Sequence, residues 1–169
     1  KQKKTAQKMA QMFREQQASK VYKAVLENGL PSDEVFVSMP IGPDPNSSIR
    51  IKQGISNEGR PCSTHFRLLK NLNKRCLVEI RPMTGRTHQI RVHSHYIGCT
   101  VTGDKLYGLA DDGFIKWLEQ GQSYLDQTGF STPRQLLHAM EIGFVHPESN
   151  KKLTIRADDS KMMRMIPTQ

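Results

Sequence analysis

Ala6, Met9, Ala10 and Phe13 recur at three- and four-residue spacing, which predicts an amphipathic helix over residues 3–18 with a lysine-rich outer face. The pattern then changes period. Residues 20–26 (KVYKAVL) read as a strand that Asn28, Gly29 and Pro31 stop, and residues 34–39 place Val35, Val37 and Met39 on one side of a second strand. Three prolines make residues 40–48 a loop. Strands follow at 49–53, 62–69 and 76–82, the last two joined by the polar link NLNKR. Residues 87–97 predict a helix, with Thr84 as its cap and Gly98 as a left-handed stop. A short helix at 111–120 and a hairpin built from residues 136–147 and 151–157 complete the pattern. Strands outnumber helices and the links are short. The expected fold class is therefore α+β, a mixed, largely antiparallel sheet with flanking helices.

Length and composition narrow this reading without changing it. The 169 residues suit one domain with one core. Hydrophobic residues at 36% and charged residues at 24% fit a polar globular protein, and neither a membrane-length apolar run nor a signal-peptide pattern is present. Three separated cysteines, Cys62, Cys76 and Cys99, argue for a reduced, cytoplasmic setting rather than a disulfide framework.

Charge changes the picture more. The net +9 is concentrated in residues 1–20, with six basic groups against one acid, and residues 50–91, with ten against two. Such tracks suit a polyanion, because each neutralised phosphate releases counterions. They equally suit a basic solvated surface with no partner.

The segment from Arg81 to Gly108 concentrates arginine, histidine and glutamine as neither a buried helix nor a solvated face requires. His88, His93, His95 and Cys99 invite a metal reading, but on one helix 93 and 95 diverge strongly, and zinc ligands must converge. No cysteine or carboxylate has a nucleophile's setting. Asp104, between Gly103 and Lys105, reads as closing a turn. Arg86, near the start of the helix, is placed for a phosphate, and Arg91, between Ile90 and Val92, for a buried carboxylate. Two surface arginines at a helix start is the alternative. Tyr22 by itself signals nothing.

Taken together, TGRTHQIRVHSHYIGCTVTGDKLYG (84–108), SKVYKAVLENG (19–29), CSTHFRLL (62–69) and RQLLHAMEIGFVHPESNKKL (134–153) resemble, in order and spacing, the RluA-type pseudouridine synthases. The resemblance covers nearly the whole chain. It implies isomerisation of uridine to pseudouridine in RNA without metal or cofactor, with large-subunit ribosomal RNA favoured over transfer RNA, by a cytoplasmic monomer. It further implies that Tyr22 stacks on the flipped uracil and that Arg91 pairs with the catalytic aspartate. Ile90 and Val92 would supply apolar surroundings, Arg86 and His88 further substrate contacts, and Lys3, Lys4, Lys8 and Arg81 a grip on the RNA.

One part of the family pattern is missing. The family's nucleophilic aspartate lies in an Arg-Leu-Asp segment upstream of the tyrosine strand, and this chain has no such segment. The expectation is the C-terminal portion of one catalytic domain, inactive alone, with sheet edges left unpaired. Three other classes compete: a non-catalytic RNA-binding module, a zinc-dependent deaminase or nuclease, and a structural ribosome-assembly factor.

Overall fold

In the computed structural model, which describes residues 3–130 and 132–166, the chain opens with helix α1 (Lys3–Arg14). Strands β1 (Ser19–Glu27), β2 (Glu34–Ser38), β3 (Ile41–Pro43), β4 (Gln53–Ile55), β5 (Ser63–Leu72) and β6 (Arg75–Pro82) follow. Helices α2 (Gln89–Tyr96), α3 (Lys105–Gly108), α4 (Asp111–Gln120) and α5 (Gln122–Thr128) come next, then strands β7 (Leu137–Val145) and β8 (Lys152–Arg156) and a last turn of helix, α6 (Ser160–Met163).

Six strands form one sheet in the order β2-β5-β6-β1-β7-β8, every neighbouring pair antiparallel. Burial explains the central position of β1. Ala24, Val25 and Leu26 are three consecutive residues with no exposed surface, so both faces of the sheet are covered there. On one face Ala24, Leu26, Phe66, Val78 and Ile80 pack with Ile90 of α2 and Val101. On the other, Val25 and Leu77 pack with Leu136 and Met162. Burying a side chain such as Phe66 completely contributes about 1.5–3 kcal/mol. A third apolar cluster joins Val92, Leu106, Tyr107 and Phe114 to Ile41 and Cys62, and seats α2, α3 and α4 against the start of β3. β3 and β4 form a separate two-stranded ribbon, with Ile41 opposite Ile55.

Several expected boundaries move, each for a local reason. The first helix ends at Arg14, because Gln16 turns the backbone left-handed at φ 59. The segment expected as a loop at 40–48 contributes β3, and most of the strand expected at 49–53 is a turn, with Lys52 N donating to Ile49 O. Asp111 holds that turn: its carboxylate accepts from the Ser47 hydroxyl and from Ser48 N and pairs with Lys52 at 2.7 Å. Strong local turn chemistry thus overrides the β-like run of Ile49 and Ile51. Gly98 stops α2 at φ 78, as its position predicts. The hairpin of β7 and β8 is present, closed by His146 N donating to Lys151 O.

Candidate active site

The signature segment reaches its site through one buried glutamine. Gln89, 4% exposed, accepts from the Thr84 hydroxyl at 2.6 Å and from Arg86 N at 2.9 Å. Its amide nitrogen donates to Ser63 O and to Thr64 Oγ1 on β5. A single side chain therefore ties the 84–88 turn to the sheet. Thr84 serves this bond instead of capping the helix. Arg86 and Thr87 lie in the turn before α2, whose first helical residue is Gln89, and His88 precedes it in the left-handed region at φ 56.

Behind Gln89 the hydrogen bonds run in one direction. Thr64 Oγ1, having accepted from Gln89, donates to His93 Nδ1 at 2.8 Å. His93 Nε2–H then donates to Met39 O at 3.0 Å. His93 is fully buried, and burial lowers its pKa more than the Met39 carbonyl raises it. The imidazole is neutral and its tautomer is fixed by its two partners.

The turn and α2 face β1 and β7 across a cavity of about 170 Å³. Tyr22 and Lys20 of β1, Leu137 of β7, and Arg86, Ile90 and Arg91 line it. β7 widens locally here, since Val21 pairs with Glu141 and Tyr22 with Ala139, leaving Met140 as the extra residue of a bulge. Lys20 donates to Thr84 O at 3.0 Å, and burial lowers its pKa.

Arg91 has a partner within the chain. Its Nε and Nη2 donate to the two carboxylate oxygens of Asp104 at 2.6 and 2.7 Å, a side-on bidentate pair. Asp104 is 1% exposed and also accepts from Leu106 N and Tyr107 N, capping α3. The guanidinium lies 4.8 Å from the centre of the Tyr107 ring. Burial pushes the Tyr107 phenol up to about 12. Its hydroxyl accepts from Gln53 N and donates to Gln53 O, so the 3.0 Å contact with His88 uses His88 Nδ1–H as donor. Burial and the charge of Arg91 lower the His88 pKa, which leaves Nε2 of a neutral ring as an acceptor at the cavity wall.

Of the residues singled out in the sequence, Tyr22, Arg86, His88, Ile90 and Arg91 meet at this cavity. Val92 does not: it points to the opposite side of α2 and packs with Ile41, Leu106 and Tyr107. Arg81 is bound to Glu79 at 2.9 Å on the exposed sheet face. Lys3, Lys4 and Lys8 belong to α1, which lies against the β7–β8 hairpin, with Lys8 in a groove beside Val145 and Pro147. Asp104, expected only to close its turn, also pairs with Arg91 from within the chain. Lys20, Gln89 and Asp104 went unrecognised as site residues. Lys20 was within reach of the sequence pattern, standing two residues from Tyr22 on the same strand face. The histidine–cysteine cluster does not converge: His93 is inside, His95 is exposed, and Cys99 donates to Gly29 O. Among the described residues no group of three potential ligands is close enough to hold a metal ion.

Residues 1–96 match the RNA pseudouridylate synthase family. A ribosomal large subunit pseudouridine synthase C of Vibrio cholerae is 37% identical over 146 residues, 86% of this chain and 42% of that protein. A ribosomal large subunit pseudouridine synthase D of Zymomonas mobilis is 33% identical over 161 residues, 94% of this chain and 47% of that protein. The chain thus spans less than half the length of these relatives. The solved structure of human RNA pseudouridylate synthase domain containing 1 superposes with a TM-score of 0.72 at 24% identity, covering 94% of this chain and 61% of that one, which establishes the shared fold.

Proposed function

Because the chain belongs to the RNA pseudouridylate synthase family, we propose that it supplies the tyrosine and arginine side of an active site that isomerises uridine to pseudouridine in RNA. Large-subunit ribosomal RNA is the favoured substrate over transfer RNA, in keeping with the names of the Vibrio and Zymomonas relatives. The observation that carries the reading is the single cavity lined by both Tyr22 and Arg91. A phenol on the rigid central strand offers a flat face for a base taken out of its stack. Opposite it, Arg91 uses Nε and Nη2 on Asp104 and keeps Nη1 for a second anion. That second anion is the nucleophilic carboxylate of an upstream Arg-Leu-Asp segment.

The chain is read as the C-terminal portion of a single catalytic domain that works as a cytoplasmic monomer without a cofactor. Among the described residues no helix is long and apolar enough to cross a membrane. The test compares uridine conversion in a large-subunit RNA transcript by the 169-residue chain and by a protein in which the same chain follows an Arg-Leu-Asp segment. Conversion by the second alone is expected. Turnover by the chain alone removes the need for that segment, and failure of both removes the enzyme reading. A non-catalytic RNA-binding module is the second reading, favoured by one observation: Asp104 already neutralises Arg91 from within the chain.

A further inference from the structure

A second depression lies on the other side of the 84–88 turn. It has a volume of about 340 Å³ and runs between that turn and the β3–β4 ribbon, lined by Gly42, Gln53, Glu58, Arg60, Gly85 and Arg86. Gly85 and Arg86 also line the Tyr22 cavity, so the two depressions share one wall. At this shared wall Gly85 brings no side chain of its own, and Lys20 Nζ stands 3.1 Å from where its Cβ would lie.

Five arginines outside the groove are held by carboxylates. Arg67 and Arg81 are paired with Glu79, Arg75 with Glu27, Arg91 with Asp104 and Arg156 with Glu141. Arg60 has no side-chain partner among the described residues; its backbone alone is held, to Ile41. Arg86 spends one N–H on a 3.4 Å bond to Pro61 O. The ribbon that carries the groove wall is itself fixed, since Gln53 is pinned on both backbone atoms by the Tyr107 hydroxyl. Gly59 fits there because a Cβ would lie 2.5 Å from the Ile41 carbonyl carbon, so the residue before Arg60 is locked against β3. Two guanidiniums without carboxylate partners thus project from anchored backbone into one groove that continues the base cavity. One acid, Glu58, opposes them.

We infer that this groove is a phosphodiester subsite, in which Arg60 and Arg86 hold the backbone of the RNA segment flanking the nucleotide at Tyr22. The inference rests on the proposed function. Arginine suits the task because its planar fork meets two phosphate oxygens at once. Each phosphate neutralised on a single strand contributes about 0.7 to the slope of log affinity against log salt.

The test is fluorescence anisotropy of a uridine-containing single-stranded RNA with the full chain, titrated from low to moderate salt. Arg60→Gln keeps the backbone bonds to Ile41 and should weaken binding several-fold, with the salt slope shallower by about 0.7. Glu58→Gln should tighten binding by removing the opposing charge. Arg156→Gln, whose parent arginine is already paired with Glu141, should leave the slope unchanged; equal melting temperatures control for folding. A sulfated polysaccharide run in parallel should show a smaller dependence on Arg60. An unchanged slope in Arg60→Gln, or an equal dependence for the polysaccharide, overturns the subsite and leaves the proposed function standing. Absence of salt-dependent RNA binding by the unmodified chain overturns both.

Discussion

Arg91 and Asp104 are joined side-on, with Nε and Nη2 of the arginine donating to the two carboxylate oxygens at 2.6 and 2.7 Å. The pair links α2 to the turn before α3, and it fixes the guanidinium plane at the cavity wall. Its unused Nη1 edge is what remains for a second anion. Asp104 thus does for Arg91 what a supporting carboxylate does for any precisely aimed cation: it removes rotamer freedom before a substrate arrives.

Asp104→Ala should destabilise the fold by about 3 kcal/mol, because it leaves Arg91 unpaired in a nearly closed setting and frees two backbone N–H groups. Denaturant unfolding measures this. A loss under about 1 kcal/mol would mean that water replaces the carboxylate without cost. Combining the change with Arg91→Met should recover part of the loss.

Gln89→Leu removes every bond between the 84–88 turn and β5 that runs through this side chain. The expected cost is about 1–3 kcal/mol. More specifically, the Arg86 amide, which donates to Gln89 Oε1, should lose protection in hydrogen exchange while the β1 and β6 amides keep theirs. Equal loss at all three places would contradict the local role given to Gln89.

The buried His93 makes stability depend on pH. Its folded pKa lies below the ordinary 6.5, so on acidification the unfolded chain takes up a proton before the folded one does. Stability is full above the unfolded value and falls as pH drops through 6.5 toward the folded value. Thermal melts between pH 8 and 5 should show this loss, and His93→Gln should reduce it. His88, which is shifted the same way, contributes to the remainder.

Asp111 acts at lower pH. Its hydrogen bonds from Lys52 and Ser47 bring its pKa from 3.8 to about 2. A depressed carboxylate contributes stability above its unfolded value and loses it as pH falls through the folded one. Asp111→Asn should therefore be less stable than the unmodified chain at neutral pH, with the gap closing between pH 4 and 2. A gap independent of pH in that window would assign the effect to packing.

The sheet strands and α2 were legible because their burial follows period two or period 3.6, as with Val78 and Ile80 on one side of β6 and Leu77 on the other. Arg86, His88, Ile90 and Arg91 were singled out from the 84–108 signature, and Tyr22 only through the resemblance of residues 19–29. The β3–β4 ribbon was not, since its strands are three residues long and separated by a turn that Asp111 holds from 59 positions away at Lys52. The Arg91–Asp104 pair was hidden for the same reason: each residue had a sufficient local explanation, as helix arginine and as turn aspartate, and only the packing of α3 against α2 brings them together. Val92 was misplaced because adjacent helix positions diverge by about 100°, so a neighbour of Arg91 need not share its face.

The central claim is that this chain works in isomerising uridine in RNA. The most direct measurement maps pseudouridines in ribosomal and transfer RNA from cells with and without the gene, then restores the gene intact or with Tyr22→Ala. The account predicts loss of modification at one or a few uridines of the large-subunit RNA, recovery with the intact gene and none with Tyr22→Ala. An unchanged map on deletion would contradict it.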